Sequence, residues 1–117
     1  MANNETRDTT AELPPGLPPG PDGEFCIYAT TYAHPEHADA LEAVLAETTL
    51  LAQTEPGCLY YSIARDDEDP TVFYVFERYS SRQAFEQHMK HSVLQKLPTY
   101  VRDIKAKFIK PLSPKEP

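Results

Sequence analysis

The sequence of 117 residues has no tryptophan, only two cysteines, and 11 Lys and Arg against 18 Asp and Glu. These shortages narrow what the chain can do. A formal charge of −7 argues against holding nucleic acid or an anionic membrane through bulk electrostatics. No apolar run approaches the roughly 20 residues that a membrane-spanning helix needs. Cys26 and Cys58 fall in strand-like runs rather than loops. That predicts buried free thiols in a reducing compartment, with a disulfide possible only if the two strands are neighbours. Asn3, Glu5 and Asp8 stand where a secretory leader would carry basic and then apolar residues, so a cytoplasmic location is expected.

Proline is plentiful but unevenly spread. Residues 1–24 hold five of the 12 prolines and three of the four glycines, and their few apolar residues have no period. Such a segment buries too little surface to offset its ordering entropy, so a flexible or polyproline-like arm is expected. Residues 25–111 form the expected domain and 112–117 a tail. A core built from so few residues is marginal, and self-association would add to it.

The run from Glu55 to Met89 organises the domain. Bulky residues alternate from Cys58 to Arg65, with Leu59, Tyr61 and Ile63 on one side and Cys58, Tyr60 and Ala64 on the other. They alternate again from Thr71 to Tyr79, with Val72, Tyr74 and Phe76 against Phe73, Val75 and Tyr79. A period of two is the pattern of a pleated strand. Asp66, Asp67, Glu68, Asp69 and Pro70 are poor strand formers and make the turn of an antiparallel hairpin.

The flanking segments complete the order. Phe25 to Tyr32 alternates as a first strand. Pro35 and Glu36 suit a helix start, and Ala38, Leu41, Leu45, Thr48 and Ala52 then form one apolar stripe. Ser80 or Ser81 caps a second helix that turns Phe85 and Met89 inward, with His88 beside them. Pro98 is expected to break the apolar pattern of Val93, Leu94 and Leu97. Asp103 to Ile109 reads as a last strand with one face toward the core. The order β-α-β-β-α-β predicts an α+β, ferredoxin-like sheet with two helices on one face. Both faces of the hairpin are apolar, yet the helices cover only one. A second copy of the same sheet is the expected cover, giving a homodimer.

The run EPGCLYYSIARDDEDPTVFYVFERYSSRQAFEQH resembles the antibiotic biosynthesis monooxygenase (ABM) superfamily of dimeric α+β barrel proteins. Pro56, Gly57, Cys58, Glu77, Ala84, Phe85 and His88 carry the likeness, which extends over about Phe25 to Pro111. The resemblance implies an enzyme that oxidises a small aromatic substrate, a quinol or an anthrone, with O₂ and without cofactor or metal. Deprotonated substrate would react with O₂ in a dry aromatic pocket that supplies a base and anion-stabilising donors. The lack of Trp, and of an Asn on the first helix, counts against the haem-degrading branch. Relatives often carry a second His five residues after the first. Val93 stands there in this chain, and His91 lies three after His88.

His88 is the leading candidate base, and Glu77 the second catalytic candidate. A carboxylate among aromatics either acts or is held by an arginine, here Arg65 or Arg82. Tyr61, Tyr74, Tyr79, Phe73, Phe85 and Met89 are candidates to line a pocket, although aromatic strand residues also serve as plain core. Spacing leaves open which sheet face borders the helices. His88 and His91 have the spacing of a metal pair but lack a third ligand, and His91 is expected to face solvent. Val72 to Phe76 loosely mimics an RNA-binding aromatic submotif but lacks its basic residue and glycine. Other functions compatible with this fold are an isomerase or lyase of a small hydroxy-carbonyl compound and a non-catalytic dimeric ligand-binding or stress protein.

Overall fold

The computed structural model describes residues 23–112; expectations for the rest of the N-terminal arm and for residues 113–117 lie outside it. Strand β1 (Phe25–Ala33) leads through a 3-10 turn at Pro35–His37 into helix α1 (Ala38–Ala52). The hairpin follows as β2 (Cys58–Arg65) and β3 (Val72–Tyr79), then helix α2 (Arg82–Met89). A 3-10 segment (Ser92–Lys96) and a short helix α3 (Leu97–Tyr100) connect to β4 (Val101–Ile109). The strands form one antiparallel sheet in the order β2-β3-β1-β4, the α+β ferredoxin-like arrangement. No helix among the described residues is long and apolar enough to cross a membrane.

One sheet face is packed by the helices. Ala38, Leu41, Leu45, Thr48 and Ala52 are all buried along α1, joined by Val44. Two apolar clusters result. Leu41, Leu45, Phe73, Val93, Leu94 and Leu97 pack beneath α1, while Phe25, Ile27, Ala29, Val75, Tyr79 and Phe85 pack beneath α2. Ser81 caps α2 by accepting a hydrogen bond from the Ala84 N–H at 3.1 Å, which satisfies a donor that has no partner inside the helix.

The hairpin turn is held by its own carboxylates. Asp66 Oδ1 accepts from the N–H groups of Glu68 and Asp69, and Asp69 Oδ1 accepts from the N–H of Thr71. The phenol of Tyr74 and these two backbone donors hold the Asp66 carboxyl below its usual range.

Three expectations need correction. Pro98 does not break the chain: it occupies the first turn of α3, where its missing N–H costs nothing. The helix instead ends at Lys90, followed by extended backbone at His91. The alternation in β2 is interrupted by a register shift between Cys58 and Tyr60. Cys58 pairs with Tyr79 and Tyr61 with Glu77, so Cys58, Tyr61 and Ile63 share the helix face. Leu59 and Tyr60 both line the outer face with Cys26, Phe76 and Arg78. One extra residue in a strand has this effect on every side chain before it. Third, Glu77 is not paired to Arg65, whose guanidinium is taken by Asp39 and Glu42.

The outer face is rich in aromatics and open. Tyr28, Tyr60 and Tyr74 are 50%, 54% and 37% exposed, with the Tyr60 and Phe76 rings in edge contact at 5.7 Å. Arg78 lies there too and pairs with Glu24 of its own chain. Both cysteines are free; β3 separates their strands.

Candidate active site

Where the two apolar clusters meet, the packing leaves a cavity of about 200 Å³ between the sheet and the helices. Its walls include Ile27, Ala29, Val75, Leu45, Phe85 and Met89, and Thr31, Tyr61, Glu77 and His88 are among the polar residues that line it. Pro98, Arg102 and Asp103 line it at the α3–β4 connection. A buried apolar space with a few convergent polar groups is the usual form of a small-molecule site.

His88 is buried on the inner side of α2, between the rings of Tyr61 at 5.1 Å and Tyr79 at 5.6 Å. Its Nδ1 lies 2.8 Å from Oε1 of Glu55. A carboxylate only accepts, so Nδ1 carries the proton and donates. In the neutral ring Nε2 is then the proton acceptor. A carboxylate on one imidazole nitrogen orients the ring and stabilises the imidazolium when the other nitrogen takes a proton.

Glu77 sits on β3 and is nearly fully buried. Burial pushes its carboxyl up from the usual range, opposed by charge on His88 and by the Tyr79 phenol. That phenol donates to Glu77 Oε1 at 2.5 Å. Tyr79 and Tyr61 are themselves pushed well above ordinary phenols, chiefly by burial and then by the Glu77 charge. Both remain neutral donors. Thr48 Oγ1 donates to the Leu45 carbonyl at 2.8 Å. Its one proton is thereby used, so Tyr61 donates to Thr48 at 3.0 Å.

The sign of the Glu77 shift has a consequence for stability. A carboxyl raised by folding keeps its proton in the native state at a pH where the unfolded chain, near 4.5, has lost it. Stability therefore falls as pH rises through that window. Glu77→Gln should abolish this slope, raising the melting temperature more at pH 8 than at pH 4 in thermal denaturation followed by circular dichroism.

Cys58, on the same face, is pushed up to about 11 by burial and by the charges of Glu77 and Glu55. At pH 8 only about one such thiol in a thousand is a thiolate. Iodoacetamide should therefore alkylate it far more slowly than free cysteine, as mass spectrometry of the folded protein would show.

Of the residues proposed from the sequence, the cavity gathers His88, Glu77, Tyr61, Phe85 and Met89. Tyr79 supports Glu77 from alongside. The other two lie elsewhere. Phe73 packs under α1, with the Arg65 guanidinium 5.1 Å from its ring centroid. Tyr74 is on the outer face with its hydroxyl on Asp66. Glu55 was not foreseen as a site residue. It occupies the loop before the Pro56-Gly57 turn, next to no periodic element, and its one sequence signal is its place ahead of the Pro-Gly-Cys run. His91, expected in solvent, instead bonds Glu55 Oε2 at 2.5 Å.

The sequence profile described as antibiotic biosynthesis monooxygenase matches residues 24–98. The chain belongs to the antibiotic biosynthesis monooxygenase family. Solved structures share the fold. A Pseudomonas aeruginosa protein is 26% identical with a TM-score of 0.69, over 78% of this chain and 96% of that one. A Bacteroides thetaiotaomicron protein is 20% identical with a TM-score of 0.70, over 81% and 95%. A structure named as an antibiotic biosynthesis monooxygenase is 22% identical with a TM-score of 0.66, over 76% and 99%. A search among curated proteins found no match. In this ABM domain the matched region ends at Pro98, so it covers Glu55, Glu77, His88 and His91 but not Arg102 or Asp103 at the cavity.

Proposed function

We propose that this ABM-family chain is a cofactor-independent monooxygenase that oxidises a small aromatic quinol with O₂, using His88 as the base. The observation that carries this reading is the Glu55–His88 pair at the wall of a buried, mostly apolar cavity. His88 Nε2 takes a phenolic proton, and the resulting electron-rich phenolate reacts with O₂ at a ring carbon. One oxygen atom stays on the substrate and the other leaves as water. For a hydroquinone the product is a hydroxyquinone, and all four electrons come from the substrate itself. The phenols of Tyr61 and Tyr79 stay neutral and Glu77 is drawn toward its protonated form, so charge on the substrate meets little opposing charge.

Volume bears on substrate size. A cavity of about 150 Å³ holds benzene, so about 200 Å³ suits one substituted ring or two fused rings. A three-ring anthrone would project past Arg102 and Asp103. Oxygen uptake by chelator-treated protein, measured over a panel of benzene- and naphthalene-diols and anthrones, tests the proposal. Enzyme-dependent uptake on a diol supports it; tight binding of a diol with no uptake overturns it in favour of a binding protein. A second reading rests on the pairing of a base, His88, with a buried carboxyl pushed toward its acid form, Glu77. Such a pair suits an isomerase or lyase of a small hydroxy-carbonyl compound, which would turn over under anaerobic conditions.

The same proposal includes a homodimer joined through the outer sheet face and a reducing, cytoplasmic setting for the free thiols. Tyr28, Tyr60, Tyr74 and Phe76 form an aromatic patch of the kind that monomers rarely leave in water. Tyr60→Glu with Phe76→Glu should convert a dimer to monomer in sedimentation velocity at micromolar concentration. An unchanged sedimentation coefficient would move the interface elsewhere.

A further inference from the structure

Glu55 has two carboxylate oxygens, and each is claimed by a different histidine. Oε1 meets Nδ1 of His88 at 2.8 Å, and Oε2 meets Nε2 of His91 at 2.5 Å. The two imidazoles stand nearly perpendicular, at 81°, with centroids 6.2 Å apart. They come from opposite sides of the end of α2. His88 is in its last turn, and His91 follows in extended backbone with its N–H on the His88 carbonyl at 3.2 Å. The Glu55 backbone is tied at both ends, its N–H to Ala52 O and its carbonyl to the Cys58 N–H, each at 3.1 Å. Side-chain exposure rises from 2% at His88 to 16% at Glu55 and 34% at His91.

We propose that His91 is a positioning residue: by holding the outer oxygen of Glu55 it keeps the inner oxygen on His88 Nδ1 and so leaves Nε2 as the acceptor. This deepens the reading of His88 as a base and rests on it for its functional meaning. A glutamate carboxylate turns easily about its terminal torsion, and Glu55 is exposed enough to swing to water. His88 then has a competing arrangement, with its proton on Nε2. Groups around it favour that alternative to different degrees. From β3, Glu77 lines the same cavity as His88 and feels its charge, and Tyr79 is already donating to it. From β2, Tyr61 and the protonated Cys58 add no charge, and from α1 Thr48 is occupied by Tyr61. Glu55 and Glu77 are thus the two acidic side chains beside His88, Glu55 the one bonded to it, and His91 holds Glu55 in place.

The test uses the full chain labelled with ¹⁵N, whose long-range proton–nitrogen correlations report the tautomer of each histidine at neutral pH. Wild type should show His88 protonated on Nδ1. His91→Ala should shift it toward Nε2–H or to a mixture, and lower kcat on a diol about 10–100-fold with KM within about twofold. His91→Gln, whose amide nitrogen reaches as far as Nε2, should restore both. An unchanged His88 tautomer in His91→Ala overturns the proposal, whatever happens to the rate. The tautomer is read without substrate, so failure of the oxygenase reading would show separately, as absent uptake by wild type.

Discussion

Turnover should fall by about a hundredfold to ten-thousandfold when His88 is replaced by asparagine, with little change in melting temperature. The amide nitrogen of asparagine reaches about as far as Nδ1 of histidine, so the hydrogen bond to Glu55 is kept. What is lost is Nε2, and with it the proton acceptor at the cavity wall. General-base catalysis supplies rate factors of that order. A structural role predicts the reverse pattern, in which stability drops and the remaining folded protein stays active. Initial rates of oxygen uptake beside thermal denaturation separate the two. Full turnover in His88→Asn would remove His88 from the mechanism and shift attention to Glu77. His88→Ala should be as inactive but less stable, because it removes a fully buried ring and leaves a cavity in its place.

The largest effect on folding is expected at Gly57. A Cβ built there would lie 2.4 Å from Cβ of Ala84 and 3.1 Å from Oγ of Ser80. No rotamer relieves this, since the first clash is with an atom fixed to the α2 backbone. The Gly57 carbonyl also accepts from the Ser80 N–H at 2.9 Å, so the strand cannot move off without losing that bond. Overpacking of this kind costs about 1–3 kcal/mol, or roughly 5–20 °C in melting temperature for a domain this size. Gly57→Ala should show that loss, and Gly57→Val a greater one. Adding Ala84→Gly should recover part of it despite the lower helix propensity of glycine, because the two sites share one contact. Additive losses in the double variant would mean that the clash is not the cause. Gly57 also lies just before β2, so the approach of this loop to α2 is what brings Glu55 within reach of His88.

Much of the architecture was legible in the residues. Period-two alternation in Val72–Tyr79 and the stripe Leu41, Leu45, Thr48 identified a strand and a helix because each buries one face. The placement of Phe85, His88 and Met89 follows from the same periodicity, and with Glu77 they line the cavity. Two kinds of information were not legible. Glu55 acts from a loop, where no period links a residue to a distant partner; its contact with His88 spans 33 positions. Tyr74 and Phe73 look equivalent to Tyr61 in the sequence because aromatic content alone does not say which face meets the helices. Pro98 is ambiguous in the sequence for a related reason: a proline forbids the middle of a helix but favours its first turn, and which applies depends on where the preceding helix stops.

The slip at Leu59 places two consecutive large side chains, Leu59 and Tyr60, on the exposed aromatic face, and lets the thiol of Cys58 and the ring of Tyr61 share the other. Length, more than composition, thus decides what β2 offers to each side. Removing the single residue Leu59 would restore an unbroken pleat, with Cys58 still opposite Tyr79 and Tyr60 left as the one large side chain that this bulge presents outward. Any aligned relative lacking that extra residue should accordingly be compared position by position only from Tyr60 onward.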